Sequence, residues 1–224
     1  MIEKPRTVIT GASSGLGKCL NKSFSENYNT INISRSLSEG QYNIVTNFND
    51  LSDLKQKLET NNIEHDLCIL NAGTLGSVGL SHQISDEEFL QTLKINVLAN
   101  KMIIDWSISN GCKYFIGISS GAATKNYDGW LNYCVSKSAF RSMVIQYKKD
   151  LPELYFKLIS PGILSTSMNK KIKSIDVEKY PDMNKFHKII AVDPQKASDL
   201  IYKNYRNYFR REELEIDLRS EREW

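Results

Sequence analysis

The residues of this sequence with the clearest chemistry are a tyrosine and a lysine four positions apart. Tyr133 and Lys137 fall on a predicted helix, and Ser120 precedes the tyrosine by thirteen residues. Residues four apart share one face of a helix, so we expect the lysine ammonium near the phenol, where it favours the ionised form. Such a tyrosine can exchange a proton with a carbonyl or an alcohol near neutral pH. The alternative for any single Tyr-x-x-x-Lys pair is a solvated pair on a helix surface.

A glycine-rich turn follows the first predicted strand and precedes a helical pattern. This strand–turn–helix context favours a dinucleotide-binding turn over a merely structural one. Gly11 would permit the tight turn, Gly15 a close backbone approach, and Gly17 the packing of helix on strand. The helix N-terminus then offers amide hydrogens and a positive dipole end to a pyrophosphate. With Tyr133, the turn predicts a nicotinamide-dependent oxidoreductase. The cofactor residues predicted here are Gly11, Ser13, Ser14, Gly15, Leu16 and Gly17.

An arginine closes the second predicted strand, where this type of fold reads the adenosine ribose. An acidic residue at that position would bond the free 2′-hydroxyl of NAD, whereas Arg35 can pair with the 2′-phosphate of NADP. Ser34 and Ser36 add donors, and no acidic residue follows before Glu39. NADP(H) is therefore favoured over NAD(H). The alternative is that Arg35 is a solvated arginine at the strand end.

Short apolar or β-branched segments alternate with longer amphipathic ones along the chain. Such alternation is typical of βαβ units around a parallel sheet. It predicts an α/β fold with a Rossmann-type, doubly wound parallel sheet of about seven strands in three α/β/α layers. The predicted strands are Arg6–Thr10, Thr30–Ser34, Tyr42–Val45, Asp66–Leu70, Lys113–Ser119, Tyr155–Ser160 and 214–218.

Two long helices are predicted in the second half of the fold. One covers residues 86–109 and begins with the capping box Ser85-x-x-Glu88, and the other covers about 130–150. A last helix starts near Pro194. Between Ile163 and Val192 the sequence is polar, lysine-rich and weakly periodic. We expect residues 1–224 to form a single domain in which about 163–193 act as a substrate lid.

The composition favours small molecules as partners. The 224 residues are 41% hydrophobic and 25% charged, with a mild net charge of +3. Acidic residues interrupt the basic ones near the C-terminus, so neither nucleic acid nor a membrane is an expected partner. The cysteines lack a close-spaced pair and the histidines lack metal-ligand spacing, which predicts reduced thiols and no metal site. Without a recognisable leader or a membrane-length apolar segment, we expect a cytoplasmic protein.

From these motifs onward, the segment from Thr7 to Thr166 resembles the classical short-chain dehydrogenase/reductase family. The glycine turn has the family's spacing, and Asn71-Ala72-Gly73 matches the motif that lies along the adenosine side of the cofactor. Asn96, Ser120, Tyr133 and Lys137 match the family's catalytic tetrad. The segment from Pro161-Gly162 to Thr166 matches the one that flanks the nicotinamide, where Thr166 would bond the carboxamide. Where the family commonly has an aspartate for the adenine amino group, this chain has Asn47, followed by Phe48.

The resemblance implies a role for each member of the tetrad. Tyr133 would be the general acid in reduction and the base in oxidation, and Lys137 would lower the pKa of the tyrosine and bond the nicotinamide ribose. Ser120 would donate a hydrogen bond to the substrate oxygen, with the adjacent Ser119 as the alternative. Asn96 would hold a water that links the lysine to solvent.

The resemblance also indicates where substrate and a second subunit would bind. The substrate candidates are Thr74, Leu75, Ser120, Gly121, Tyr127, Trp130, Leu164 and Met168. The lysines at 170, 171 and 173 either favour an anionic substrate or simply solvate the lid. A homodimer or homotetramer is expected through the two long helices, by analogy. The apolar contacts predicted for it are Ile103, Trp106, Phe140, Met143 and Val144.

Three functions therefore remain open from the sequence. The favoured one is NADP(H)-dependent reduction of a ketone or aldehyde, or oxidation of the alcohol, since an NADP preference tilts towards reduction. A second is a regulator that senses the nicotinamide state without turnover. A third is epimerisation or dehydration of a nucleotide sugar with the cofactor recycled in place.

Overall fold

The computed structural model describes residues 4–40, 42–221 and 224, which include one parallel sheet of seven strands. Its order is β3-β2-β1-β4-β5-β6-β7, so the chain reverses direction across the sheet between β1 and β4. The predicted doubly wound α/β fold is confirmed, and each predicted strand lies within one residue of its expected bounds. The strands are β1 (Arg6–Thr10), β2 (Asn29–Ser34), β3 (Tyr42–Val45), β4 (Leu67–Leu70), β5 (Tyr114–Ile118), β6 (Tyr155–Ser160) and β7 (Glu215–Asp217).

Helices cover both faces of the sheet because its strands are apolar on both sides. One apolar core joins the sheet to the second, fourth and fifth helices, and another joins it to the first and the last. No helix among the described residues is long and apolar enough to cross a membrane. The helices are α1 (Gly15–Ser25), α2 (Leu51–Glu59), α3 (Asp86–Leu93), α4 (Ala99–Ser109), α5 (Leu131–Asp150), α6 (Ser167–Lys173), α7 (Met183–Lys188) and α8 (Pro194–Arg210).

The helix predicted over residues 86–109 is interrupted by a π-helical turn. The capping box forms as expected, since Ser85 accepts from the Glu88 amide and Glu88 reaches back to the Ser85 amide. The turn Lys94–Leu98 then separates α3 from α4. Such turns insert one extra residue and rotate the following helix relative to the preceding one. The insertion leaves Asn96 buried on the side facing α5.

The segment 163–193, which the sequence leaves undetermined, contains two short helices packed onto the body of the fold. Its ends are joined by a bridge between Leu164 and Val192, where Ser165 N donates to Val192 O over 2.8 Å. Ile172, Met183 and Phe186 are buried in a third apolar cluster, with Trp130. These few apolar residues hold α6 and α7 in place, although the segment is polar overall.

Most of the residues predicted to form an oligomer interface are buried inside the chain itself. Ile103, Trp106, Phe140 and Val144 lie in the core of the chain itself, so the prediction that they contact a second subunit is wrong. They face the sheet because their helices need an apolar stripe against it. The exposed apolar residues on the same helical layer are Leu90, Leu98, Val135 and Ile145.

Candidate active site

The glycine turn lies at the carboxyl end of β1, beside the point where the strand order reverses. In doubly wound sheets this is where ligands bind. Gly11 adopts the left-handed conformation, with φ of 69°, and its amide donates to Ile33 O over 2.8 Å. A methyl group on Gly17 would overlap Gly11 O and Asn71 Nδ2. The first turn of α1 therefore packs against the loop backbone at a distance that only glycine allows.

We expect Gly17→Ala to lower the free energy of unfolding by about 1–3 kcal/mol, because the added methyl must displace backbone. Urea denaturation followed by circular dichroism measures this change. Lys18→Ala is the matched control, since Lys18 is exposed on the same helix turn and should change stability by less than about 0.5 kcal/mol. Equal stability of the Gly17→Ala variant and the unsubstituted protein would contradict the close packing of α1.

A threonine hydroxyl ties the ends of β1 and β4 together. Thr10 Oγ1 accepts from the amides of Asn71 and Ala72 over 2.9 and 2.8 Å. Asn71 Nδ2 returns a bond to Thr10 O over 2.9 Å. This role of the Thr10 hydroxyl could not be predicted from its position before the glycine turn. The bonds fix Asn71-Ala72-Gly73 directly beside the glycine turn.

Asn96 clamps the loop that follows this motif. Its Oδ1 accepts from Thr74 N over 2.8 Å, and its Nδ2 donates to Thr74 O over 2.9 Å. The same Nδ2 donates to Ser136 Oγ over 2.8 Å, and Ser136 Oγ donates to Tyr133 O over 2.9 Å. Ser136 is thus a buried positioning residue that the sequence analysis missed. It connects the π turn to the helix that carries Tyr133 and Lys137.

Tyr133 and Ser120 lie close together beyond the carboxyl end of β5. Tyr133 is 8% exposed, and its phenol lies near enough to the Ser120 hydroxyl for that hydroxyl to lower the phenol's pKa. Of the two adjacent serines, Ser120 is therefore the one beside the phenol. Burial raises the pKa of Tyr133 to about 12, and Ser120 offsets that rise only in part. A protonated phenol is the form that can donate to a carbonyl oxygen.

Lys137 is buried one helical turn further along α5. Its Nζ donates to Ile118 O over 2.9 Å and lies 5.8 Å from the centre of the Tyr133 ring. Desolvation lowers the pKa of Lys137 to about 8. The net shift of the Tyr133 pKa is upward although this lysine lies beside the ring, because the effect of burial is the largest. Burial acts on both groups and favours the neutral form of each.

Gly73 lies beside both Asn96 and Lys137. The position of a methyl group on Gly73 would be 3.3 Å from Asn96 Oδ1 and 3.8 Å from Lys137 Nζ. Across the glycine turn, a methyl group on Gly15 would come within 3.4 Å of Thr166 Cγ2. Thr166 also accepts from Asn169 N at the start of α6 over 3.4 Å. A side chain at position 73 would thus contact Asn96, and a side chain at position 15 would contact Thr166.

The predicted adenosine-side residues differ in what they can offer. Arg35 is exposed at the end of β2, while Ser34 Oγ already donates to Ser36 O over 2.7 Å. Asn47 is exposed and its Oδ1 accepts from Asn49 N over 3.2 Å. Phe48 is buried in the apolar core, so only its backbone is available for a cofactor. The remaining predicted residues of the nicotinamide-side segment are Pro161, which is buried, and Gly162, which has a φ of 74°.

Aromatic side chains surround the Tyr133 phenol. Trp130 meets the Tyr133 ring edge-on at 5.7 Å between ring centres, and Tyr127 meets Trp130 at 5.2 Å. Phe186 of α7 stacks on Trp130 at 4.9 Å. Leu75 and Met168 belong to the same cluster. Phe186 was missed from the sequence because it lies in the weakly periodic segment, far along the chain from Trp130.

Leu164 lies apart from the other predicted substrate residues. Its side chain packs with Leu16 and Ile159 in the apolar core under α1 and α8. The remaining candidates lie nearer the phenol, and Tyr127 Oη is 3.1 Å from where a methyl group on Gly121 would be. The apolar side of the site therefore consists of Tyr127, Trp130 and Met168 with the residues of α7.

Comparison with known proteins gives one family and close folds. Residues 6–176 match the family model described as short chain dehydrogenase. A benzil reductase ((S)-benzoin forming) of Bacillus cereus is 28% identical, with 92% of this chain and 94% of the relative covered. The structure of the KRED1-Pglu enzyme has a TM-score of 0.81 at 20% identity, covering 90% of this chain and 94% of that one. An alcohol dehydrogenase from the archaeon Thermococcus sibiricus, complexed with 5-hydroxy-NADP, has a TM-score of 0.78 at 17% identity and covers 96% of each chain.

Proposed function

The chain belongs to the short chain dehydrogenase family and is an oxidoreductase that acts on carbonyl or alcohol groups; from this premise we propose that it reduces a ketone or aldehyde with NADP(H). The observation that carries the proposal is the Ser120–Tyr133 contact with Lys137 buried beside it. The nicotinamide, when bound, supplies the hydride in reduction and accepts it in oxidation.

The chain's own groups handle the substrate oxygen and its proton. Ser120 Oγ donates a hydrogen bond to the carbonyl oxygen and stabilises the charge that develops there. Tyr133 Oη transfers its proton to the same oxygen, and receives one in the reverse direction. The Lys137 ammonium stabilises the resulting phenolate, and Asn96 keeps the neighbouring loop in place through Thr74.

The residues present fit a dinucleotide. The glycine turn, Asn71-Ala72-Gly73 and Thr166 would hold it, with the amides at the start of α1 facing the pyrophosphate. Asn47 would accept from the adenine amino group. The exposed Arg35 at the end of β2 would pair with a 2′-phosphate, which favours NADP(H) over NAD(H).

We expect Arg35→Ala to raise the Kd for NADPH by about tenfold or more, because a charge-assisted bond to phosphate is lost. The Kd for NADH should stay within about twofold. Titration of each cofactor, followed by fluorescence, gives both values. Arg210→Ala, which removes an exposed arginine at the end of α8, is the charge-matched control. Tighter binding of NADH than of NADPH by the unsubstituted protein would contradict the assignment.

For the substrate, we favour ketones with aromatic or bulky apolar substituents. The aromatic wall around Tyr133 supports this choice, and the B. cereus relative is named for benzil reduction. The direct test follows NADPH oxidation against benzil, other ketones, aldehydes and keto sugars. Absence of turnover with all of them, despite NADPH binding, would favour the regulator or epimerase alternatives.

We further propose a homodimer or homotetramer, with Leu98 and Val135 among the exposed apolar residues available for it.

A further inference from the structure

Two side chains from the described residues after β7 cover Gly162, which follows the end of β6. A methyl group on Gly162 would lie 3.2 Å from Trp224 Cζ2, and 3.3 and 3.4 Å from Arg219 Cγ and Cδ. Trp224 is partly buried and packs against the apolar core under α1 and α8. Gly162 has a φ of 74°, a conformation that a glycine adopts and leaves easily because it has no Cβ. The indole and the Arg219 methylenes therefore restrict a residue that its own backbone would leave free.

The turn that carries these two side chains is anchored to the rest of the chain. Asp217 Oδ1 accepts from the Arg219 amide over 3.0 Å and from Arg219 Nε over 2.9 Å. Arg211, which follows α8, donates to both carboxylate oxygens of Glu221 over 2.8 and 3.0 Å. Trp224 N donates to Glu221 O over 3.1 Å. All of these contacts are made within the chain, so they do not depend on a bound cofactor.

Gly162 lies in the segment that joins the reacting groups to the glycine turn. Near the start of this segment, Ser119 N donates to Ile159 O over 2.8 Å, so β6 ends beside the pair of serines. At its far end, Thr166 Cγ2 lies 3.4 Å from where a methyl group on Gly15 would be. A cofactor with its pyrophosphate at the glycine turn and its nicotinamide beside the phenol would follow this segment. Gly162 is then close to the nicotinamide end.

We propose that Trp224 and Arg219 are positioning residues for the nicotinamide half of the cofactor, which they serve by holding Gly162 in its left-handed conformation. This inference rests on the proposed function. Neither side chain has to touch the reacting atoms, because both act through the backbone that the nicotinamide would contact. A segment that is held before binding costs less to order when the ligand arrives, and it keeps the hydride donor at the distance and angle that transfer requires.

A matched pair of ligands tests this assignment without turnover. NADP⁺ contains the nicotinamide, whereas adenosine 2′,5′-bisphosphate has the adenosine and its 2′-phosphate alone. We expect Trp224→Ala to raise the Kd for NADP⁺ by about threefold to tenfold, because the loop must then be ordered on binding, and to leave the Kd for the bisphosphate unchanged. Trp224→Phe keeps a ring against Gly162 and should restore most of the affinity. Isothermal titration calorimetry measures both constants.

Tyr155→Ala is the control for a general loss of packing. Tyr155 is a half-exposed aromatic residue at the opposite end of β6, where it stacks on Tyr114 at 5.0 Å, and its loss should leave both Kd values unchanged. An equal rise of both Kd values in Trp224→Ala, or no rise for NADP⁺, would overturn the inference while the proposed function stands. If the unsubstituted protein binds no nicotinamide cofactor, the proposed function itself fails and the inference fails with it.

Arg219 offers a second pair of variants, which covers the case in which Trp224→Ala folds poorly. Arg219→Met keeps chain atoms where Cγ and Cδ contact Gly162, whereas Arg219→Ala removes them. We expect Arg219→Ala to lower kcat for ketone reduction by about tenfold, because the hydride donor is misplaced, and Arg219→Met to stay within about twofold of the unsubstituted protein. NADPH deuterated at the transferred position should give a larger isotope effect on kcat in Arg219→Ala, since hydride transfer becomes the slowest step. Equal kcat values and isotope effects in the two variants would overturn the role of the Arg219 methylenes.

Discussion

Tyr133→Phe is expected to lower kcat for ketone reduction on the order of 10²–10⁴-fold, because it removes the group that donates the proton. The phenyl ring keeps the edge-on contact with Trp130 at 5.7 Å, so the fold and the affinity for NADPH should change little. NADPH oxidation followed at 340 nm gives kcat, and fluorescence titration gives the Kd of the cofactor. Loss of turnover with retained binding is the expected combination.

Tyr127→Phe is the control for this result. Tyr127 also carries a hydroxyl in the same aromatic cluster, but its ring contacts Trp130 and Phe186 rather than Ser120. We expect its loss to alter KM and leave kcat within about fivefold, as for a group that only binds substrate. Full activity of Tyr133→Phe, or collapse of kcat in Tyr127→Phe alone, would place the acid elsewhere.

The local signals in the sequence were sufficient for the sheet and for the identity of the chemical groups. Apolar segments such as Tyr155–Ser160 predict their strands because a strand covered on both faces needs a continuous apolar run. The position of the glycine turn could be predicted because Gly11 needs a positive φ and Gly17 has no room for a side chain. Tyr133, Lys137 and Ser120 were chosen from spacing and family resemblance, and the structure brings them together.

The remaining features depend on contacts between distant segments, which spacing does not encode. The π turn at Asn96 has no periodic signature, because a single inserted residue shifts the pattern without breaking it. Phe186 reaches Trp130 only through the packing of α7. The spacing of Tyr133 and Lys137 predicts their proximity but not their burial. Burial is the largest cause of both pKa shifts, and it raises the net pKa of Tyr133 although a lysine lies beside it.

That burial leads to a second large effect, at Lys137. We expect Lys137→Met to lower kcat/KM for reduction by about 10²-fold or more, because the charge that stabilises the Tyr133 phenolate is lost. The same substitution should raise the free energy of unfolding at pH 7 by about 1–3 kcal/mol, because a buried charge is removed at the cost of one hydrogen bond to Ile118 O. Activity assays and urea denaturation measure the two effects on one variant.

The contribution of Lys137 to the free energy of unfolding should depend on pH. The pKa of Lys137 is about 8 in the folded chain against an ordinary 10.5, so between these values the unfolded chain binds the extra proton. The Lys137 contribution to stability should therefore rise from pH 8 to about 10.5, and Lys137→Met should lack this rise. Over the same range the reductase rate of the unsubstituted protein should decline as the lysine loses its charge.

Lys157 supplies the control, since it is also buried and donates through Nζ to Arg211 O over 2.6 Å and to Glu213 O. It lies on β6 away from Tyr133, so Lys157→Met should reduce stability by leaving two carbonyls without their donor, with kcat/KM unchanged. The two variants thus distinguish a buried lysine that serves catalysis from one that stabilises the fold. If Lys137→Met loses stability as Lys157→Met does and retains activity, Lys137 has a structural role. It is then not the charge that stabilises the Tyr133 phenolate.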